Sequence, residues 1–400
     1  MKKLYLLFSL CASFFLLNLP KGYTQEDLQN RTDNIIIHDS LYFYGNARTL
    51  TAYYDENIEV QDNVSWIGFK VNKGVLGHKD IAVIAHFEWG VNIVDNNVQL
   101  NANGGSPNAD SFFDDKDDPF TTRQGYLGVK LAKYGELILG KRWGVYYDVA
   151  GVTDNFNVFG GQASGTYNPF TDGGLEGTGR AAKAIMYRNK IGNLGIGLQT
   201  QLNGSSENYA ACLHYNFPNG LLIGSAVNFA EFVDELDSLS INVSEHEYIR
   251  SLVVGVRYQT DRFYGAITYM NANDELFVGS SVLSKETEDQ DVQNVYILPA
   301  QGLEIYLRYR LTRHFDIYGG INYLDPKDDP LSVGADADTK LEYYVIAGEY
   351  RPVPDVFIYS EVKFSNSVTT NGSEDPNVYT IGITYNFNWS LSTNKIFKKF

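Results

Sequence analysis

Residues 144–165 read GVYYDVAGVTDNFNVFGGQASG and place the acids Asp148 and Asp154 among aromatic and glycine residues. Carboxylates that lie near water but against a low-dielectric protein wall project a stronger electric field than carboxylates in bulk water. The adjacent Gly160 and Gly161 allow a sharp backbone bend at a point where side chains would clash. These residue types predict chemistry that sorts solutes by charge and dipole and that makes or breaks no bond.

Other residue types do not form a reactive constellation. The six histidines lack the spacing of a metal site and have no hydrolase-type serine motif nearby. They are His38, His78, His86, His214, His246 and His314. Residues 111–120, SFFDDKDDPF, could bind a divalent cation through oxygens, but the missing glycine and spacing of a calcium loop favour a solvated acidic loop tip. We therefore expect no cofactor, no metal and no enzymatic activity.

The rest of the chain alternates apolar and polar residues, which indicates β-strands with two different faces. Residues 379–389, YTIGITYNFNW, are one example. Each run has about ten residues, the length that a tilted strand needs to cross a bilayer. About sixteen runs occur. Their centres lie near residues 47, 67, 86, 127, 139, 185, 198, 212, 225, 254, 267, 307, 319, 346, 359 and 384.

Short and long links alternate along the chain. Short links cover residues 71–79, 132–134, 189–193, 218–220, 260–261, 312–313 and 352–354. Longer links cover residues 54–63, 92–120, 145–179, 229–247, 271–301, 324–340 and 364–377, and the link near 204–207 is the exception. An even-stranded outer-membrane barrel has short turns on the periplasmic side and long loops outside, whereas a soluble sandwich has no reason for this parity.

The pattern therefore predicts an all-β fold, a 16-stranded antiparallel transmembrane β-barrel with short periplasmic turns and long extracellular loops. The third long loop, residues 145–179, is too long for a simple connection. The apolar face of the barrel would meet lipid, and closure would pair every backbone group without water. Barrels of about sixteen strands leave an aqueous lumen. The alternative is a secreted soluble β protein, which would not need such uniform strands.

The chain begins with two lysines and an apolar stretch from Leu4 to Leu19, which indicates a signal peptide over residues 1–24 and a barrel over 25–400. After cleavage Cys212 is the one remaining cysteine, so no internal disulfide is expected. The net charge of −16 argues against a nucleic-acid partner.

A continuous block resembles the general trimeric porins of Gram-negative outer membranes. It comprises residues 121–161, TTRQGYLGVKLAKYGELILGKRWGVYYDVAGVTDNFNVFGG, then 179–189, GRAAKAIMYRN, and 192–201, GNLGIGLQTQ. The family pattern is an arginine strand, a G-(K/R)-x-x-G-V-x-Y-D turn, a Thr-Asp pair, a Phe-Gly-Gly bend and a Gly-Arg…Tyr-Arg-Asn strand. The rest of the chain matches by strand count and loop parity.

The resemblance implies that loop 145–179 folds into the barrel and narrows the pore, where loop acids face wall arginines. Asp154 matches the acid of the Thr-Asp pair, and Arg123 and Arg180 match two wall arginines. The alternatives without a constriction role are that Arg123 and Arg180 are solvated lumen residues and that Asp154 caps a turn.

Further matches concern the point where the loop leaves its strand. Tyr146, Tyr147 and Asp148 match this hinge, and Arg188 matches the arginine of the Tyr-Arg-Asn strand. They too are expected at the pore constriction.

Two positions depart from the family pattern, and each loses a charge. Trp66 stands where another wall arginine is common, and Val158 stands where an acid often precedes Phe-Gly-Gly. Arg308 and Arg310 lie on the polar face of their strand and are candidates to compensate.

The resemblance implies passive diffusion of small hydrophilic solutes and ions through a homotrimer in the Gram-negative outer membrane, in contact with lipid and lipopolysaccharide and inserted by the outer-membrane assembly machinery. Three alternatives stay open. They are a substrate-specific channel for sugars or anions, a barrel enzyme with an acid–histidine pair, and a non-conducting surface barrel.

Overall fold

The computed structural model describes residues 39–75, 78, 80–94, 120–167, 172–174, 176–202, 204, 207–231, 248–278 and 295–392. The predicted signal peptide and residues 111–119 of the acidic stretch lie outside these ranges. Within the described ranges, no helix is both long and apolar enough to cross a membrane.

In the part of the chain that the structure describes, seventeen strand segments make one antiparallel sheet. They are β1 (Ser40–Tyr54), β2 (Asn57–Asp62), β3 (Trp66–Gly74), β4 (Ile81–Val91), β5 (Phe120–Leu131), β6 (Gly135–Trp143), β7 (Arg180–Ile191), β8 (Leu194–Leu202), β9 (Glu207–Asn216), β10 (Leu221–Glu231), β11 (Tyr248–Gln259), β12 (Phe263–Val278), β13 (Val295–Arg310), β14 (Phe315–Pro326), β15 (Leu341–Val353), β16 (Val356–Ser365) and β17 (Val378–Ser392). The described residues also include two short helical pieces, α1 (Tyr147–Ala150) and a 3-10 turn at Pro330–Val333.

The sheet closes on itself because β1 pairs with β17 from Ser40↔Ser392 to Tyr53↔Tyr379. Both β2 and β3 pair with the other edge of β1, β2 with its second half and β3 with its first. They are two parts of one strand, interrupted around Val64, whose φ is +59°. Seventeen segments therefore occupy sixteen positions, and the predicted fold class is confirmed.

The two faces of the wall differ as the alternation predicts. On β17 the side chains of Tyr379, Ile381 and Ile383 are exposed on the outside, whereas Thr380 and Thr384 between them are buried toward the inside. A closed sheet has no free edge, so its backbone hydrogen bonds need no water, and the exposed apolar face suits hydrocarbon.

Two links differ from their predicted lengths. The predicted longer link 54–63 is a two-residue turn, Asp55-Glu56, with φ values of +43° and +65°, and β2 follows at once. The predicted link 271–301 is shorter, because β12 continues to Val278 and β13 starts at Val295. The polar sequence Asn271–Glu275 looks like a loop, but Asp274 and Glu275 are buried inside the barrel.

The lipid-facing assignment predicts the effect of a charge on the outer face. Ile383 is 47% exposed and lies near the middle of β17. Ile383→Arg should lower the free energy of unfolding by about 2–4 kcal/mol, since an arginine at mid-bilayer depth loses its hydration. The measurement is urea unfolding in phospholipid vesicles. Asn193→Arg, in an exposed turn, is the control and should change stability by less than about 0.5 kcal/mol. Equal effects of the two variants would contradict the assignment.

Candidate functional site

The longest connection that the structure largely describes, residues 144–179, joins β6 to β7 and turns into the barrel. At its base the Gly144 amide donates to the Gly179 carbonyl at 2.7 Å. Gln199, on the inner face of β8, forms hydrogen bonds with both ends of the loop. Its Oε1 accepts from the Val145 amide at 3.0 Å, and its Nε2 donates to the Gly177 carbonyl at 3.1 Å. One wall glutamine therefore fixes the entry and the exit of the loop.

The first turn of the loop, α1, packs on the inner wall of β9–β11. The wall residues here are small, which lets the helix backbone approach closely. The buried cluster contains Val145, Tyr146, Val149, Ala150, Ala210, Cys212, Ala226 and Val253. A Cβ on Gly255 of β11 would stand 2.9 Å from the Val149 carbonyl oxygen, so glycine is needed for this approach. The Tyr146 hydroxyl donates to the Ser164 carbonyl at 2.9 Å and links the two halves of the loop.

The far end of the loop is held by one wall carboxylate, Glu361 of β16, which has no exposed surface. Its two oxygens accept from three consecutive loop amides, those of Asn157, Val158 and Phe159, the last two at 2.9 and 3.3 Å. The Tyr318 hydroxyl donates to the same carboxylate at 2.8 Å. A buried carboxylate is tolerated because several donors replace its hydration.

A second wall carboxylate, Glu304 of β13, holds the middle of the loop. Thr153 donates its hydroxyl hydrogen to Glu304 at 2.6 Å. Next to it, Gly302 faces Ala163 so closely that a Cβ on Gly302 would overlap the Ala163 carbonyl oxygen. The Tyr264 hydroxyl also donates to the Val152 carbonyl at 2.6 Å. The loop backbone is thus bonded to side chains from several strands.

The predicted bend lies at two glycines with positive φ, +154° at Gly160 and +74° at Gly161. A Cβ on Gly161 would meet the Tyr167 ring. The backbone geometry and the crowding both require glycine at this position.

The structure places Asp154 between two tyrosines. Its Oδ2 accepts from the hydroxyls of Tyr147 and Tyr167, both at 2.8 Å. Desolvation raises the pKa of the Asp154 carboxyl above its ordinary value, although the two hydroxyl donors oppose the rise. In the described part of the chain, no ion pair joins Asp154 to a cation. It remains a half-buried negative charge on the loop.

Arg123 and Arg180 are both buried and paired, with 7% and 1% of their surfaces exposed. Arg123 Nε lies 3.0 Å from Glu88 Oε1, and its guanidinium stacks over Trp66, with Cζ 4.9 Å from the ring centroid. Arg180 Nε lies 3.0 Å from the loop acid Asp172. Each predicted wall cation therefore has a carboxylate partner that the sequence did not single out, and Asp172 is shared with Lys141, whose Nζ lies 3.0 Å from it.

Arg188 and Asp148 form a bidentate pair at the hinge of the loop. Arg188 Nε and Nη2 lie 2.7 and 3.2 Å from the two Asp148 oxygens, and Nη2 also donates to the Trp143 carbonyl at 2.7 Å. The pair connects α1 to β7 and to the end of β6. The predicted residues Tyr146, Asp148 and Arg188 thus all lie where the loop leaves the wall.

Arg308 and Arg310 lie on β13, beside the part of the wall that the loop contacts through Asn157 and Glu349, and they share acids. Arg308 contacts Asp316 at 2.6 Å and Glu349 at 2.8 Å, and Arg310 lies 3.4 Å from Asp316. Arg351 joins the same two carboxylates, so three guanidiniums meet two acids. Arg310 is the more exposed of the two predicted cations.

Sequence reasoning missed the residues that anchor the loop, among them Gln199, Glu304 and Glu361. Each lies on the polar face of a regular strand, where it looks like any other lumen residue. The available signal was the combination of a carboxylate with a nearby glycine or tyrosine on the same inner face, as in Gly302 and Glu304. No group of three or more metal-ligating side chains occurs among the described residues.

Comparisons with known proteins agree with the barrel fold. A model of the Gram-negative porin family matches residues 29–394. Outer membrane porin F of Xenorhabdus nematophila is 24% identical over 290 residues, covering 67% of this chain and 74% of that protein. Outer membrane porin N of Escherichia coli K12 is 21% identical over 388 residues, covering 87% and 92%. The solved complex of Salmonella typhi OmpF with daunomycin is similar in fold, with a TM-score of 0.64 at 17% identity over 88% of this chain and 98% of that one.

The close approach at Gly302 predicts the effect of one added methyl group. Gly302→Ala should push the loop from the wall and lower the free energy of unfolding by about 1–3 kcal/mol, as overpacking does. Single-channel conductance should become noisier because the loop loses its fixed position. Gly348→Ala, where the added Cβ would stand 3.3 Å from the edge of the Phe315 ring, is the control. If Gly302→Ala has the conductance noise and the free energy of unfolding of the wild type, the loop does not touch β13 at this position.

The Glu361 anchor predicts a local change in loop dynamics. Glu361→Gln replaces one acceptor oxygen by an amide nitrogen that faces N–H donors, at a cost of about 1–3 kcal/mol. Hydrogen exchange should therefore accelerate in a peptide that contains residues 157–159. The control is Glu374→Gln, at an exposed position. Unchanged exchange at residues 157–159 in Glu361→Gln would remove Glu361 as an anchor.

Proposed function

Because this chain belongs to the Gram-negative porin family, we propose that small hydrophilic solutes and ions cross the outer membrane passively through its lumen, and that the loop of residues 144–179 sets the narrowest passage. The supporting observation is that the buried Glu361 carboxylate accepts hydrogen bonds from the backbone amides of residues 157–159. A loop bonded to side chains of the inner wall lies in the bore and narrows it, whereas a loop splayed outside the mouth would leave the bore open.

The proposed mechanism is physical selection in water. Solutes must leave as readily as they enter, so their contacts with the wall have to be weak. Charges near the passage act through the field they project into a narrow, low-dielectric channel. Such transport needs no bond to be made, no cofactor and no energy source, and we propose none of these for this protein.

Asp154 is the proposed source of negative potential on the loop, in agreement with its position in the Thr-Asp pair. Arg123 and Arg180 contribute less than unpaired cations would, because Glu88 and Asp172 neutralise them. Their proposed role is to hold the wall and the loop base in shape. Arg308 and Arg310 supply positive charge on β13 beside the loop, where three arginines share two acids.

The remaining proposals concern the cellular setting. We propose that residues 1–24 are removed as a signal peptide, that the assembly machinery inserts the barrel, and that three copies associate in a membrane that contains lipopolysaccharide. They depend on the family resemblance and the export signal.

The competing functions differ in their electrical behaviour. Purified protein in a planar bilayer should give stepwise, ohmic conductance increments. A silent membrane would support a non-conducting surface barrel, and current block by one sugar or anion at low concentration would support a substrate-specific channel.

Asp154→Asn tests the loop charge. The variant should shift the reversal potential in a salt gradient toward anion preference, since a negative charge is lost while the side chain keeps its shape. In the wild type the same shift should appear as the pH falls, beginning above the ordinary carboxyl pKa of 3.8 because burial raises the pKa of Asp154. Asp154→Asn should lack this acid-dependent step.

Asp261→Asn, in an exposed turn, removes an equal charge far from the loop and is the matched control. A reversal potential that is the same in Asp154→Asn and Asp261→Asn would refute a constriction role for Asp154.

A further inference from the structure

Two tyrosine hydroxyls of the loop converge on one oxygen of Asp154. Tyr147, in α1, and Tyr167, beyond the glycine bend, both donate to Asp154 Oδ2, each at 2.8 Å. The three residues come from three parts of the loop, which are its first turn, its middle and its return toward the wall. The two hydrogen bonds therefore fix the carboxylate relative to the loop as a whole.

The other oxygen of the same carboxylate lies beside the bend. A Cβ added to either Gly160 or Gly161 would stand 3.5 Å from Asp154 Oδ1. Both glycines therefore present only backbone to this oxygen. Because Tyr147 and Tyr167 hold Oδ2, they determine which oxygen of the carboxylate is directed at the bend.

The rings of both tyrosines are held in turn by Trp143, at the end of β6. Trp143 stacks on Tyr147 with the ring centroids 4.0 Å apart, and it contacts Tyr167 at a steep angle with the centroids 6.3 Å apart. The Arg180 guanidinium lies over the Trp143 ring, with Cζ 4.8 Å from the ring centroid. Aromatic pairs and cations over aromatic rings both stabilise such packing. The hydroxyls thus reach Asp154 from an aromatic group that joins the loop to the wall.

The two hydroxyls act as donors to a charged acceptor. Desolvation raises the pKa of Tyr147 and of Tyr167 well above the usual value, so both hydroxyls stay protonated at neutral pH. Hydrogen bonds to the ionised form of an acid favour that form. The tyrosines therefore oppose the burial of Asp154, which favours the neutral acid.

Charged and titratable groups on four strands also act on Asp154, from longer range. Arg180 of β7 and Arg48 of β1 favour its ionised form. Glu304 of β13 opposes that form by repulsion, and Tyr343 of β15 also lies within range of the Asp154 charge. These four groups interact with the carboxylate through space, whereas the two tyrosines bond to it directly.

We propose that Tyr147 and Tyr167 are positioning residues for ion selection, because their hydroxyls orient the Asp154 carboxylate and hold it in its charged form in the passage. This inference rests on the proposed function and adds the residues that set the strength of the loop charge. A loop acid that is kept ionised contributes to ion preference down to a lower pH than burial alone would allow.

The test measures reversal potentials in a potassium chloride gradient over a pH series. Each protein is compared with the same protein that also carries Asp154→Asn, and the difference isolates the part of the potential that depends on Asp154. This part should disappear as the pH falls, and its midpoint is the quantity compared. Tyr147→Phe and Tyr167→Phe should each raise the midpoint by about one pH unit, the effect of losing one hydrogen bond to a charged group. The double variant should raise it further.

Tyr264→Phe is the matched control, because it removes a hydroxyl that donates to the loop at the Val152 carbonyl instead of at Asp154. It should leave the midpoint at the wild-type value. An equal shift in Tyr264→Phe would mean that any loosening of the loop moves the midpoint, and the two tyrosines would then have no special role.

The remaining outcomes separate this inference from the proposed function. A wild type that forms no channels contradicts the proposed function itself. Channels with the same reversal potential before and after Asp154→Asn contradict the charge role of Asp154, and this inference is lost with it. An Asp154-dependent step whose midpoint is unchanged in Tyr147→Phe and in Tyr167→Phe contradicts this inference alone.

Discussion

Backbone hydrogen bonding without water is the constraint on which both the wall and the loop depend. In the wall the solution is closure, since β1 pairs with β17 and no strand of the ring is left with a free edge. Inside the bore the loop has little regular structure of its own, so wall side chains bind its amides and carbonyls. Gln199, Glu304 and Glu361 are the main examples.

Charge in this lumen is mostly cancelled close to its source. Arg123 with Glu88, and Arg180 with Asp172, are buried pairs in which each partner offsets the other's lost hydration. Removing one partner would leave a buried charge, so these pairs fix geometry more than they polarise the passage. Asp154 on the loop has no ion-pair partner among the described residues, and Arg308, Arg310 and Arg351 share two acids, so these groups leave charge that the buried pairs do not cancel.

The barrel could be predicted from the sequence because its signal is repeated along the whole chain. The alternation of apolar and polar residues in 379–389 corresponds to the exposed outer face and the buried inner face of β17. The two-residue turn at Asp55-Glu56 was missed because neither residue is the glycine or asparagine that such positive φ values usually require. The polar run Asn271–Glu275 has the composition of a loop. It continues strand β12 because the polar interior of the barrel accommodates charged side chains.

The loop site was less predictable, since its partners come together only in three dimensions. The sequence and the family resemblance together pointed to Asp154, Asp148 and the glycine bend. Nothing local distinguishes Glu361 from any other acid on a polar strand face, because its role depends on amides some two hundred positions earlier in the chain.

The wide sequence separation of the loop anchors has a kinetic consequence. Residues 157–159 are made long before β16, and their carboxylate partner is available only when that strand has joined the sheet. Long-range contacts form late, after the cost of closing the intervening chain has been met. The Glu361 contact therefore forms later than the Gln199 contact, which joins residues much closer in the chain, and residues 157–159 are fixed in place after the base of the loop.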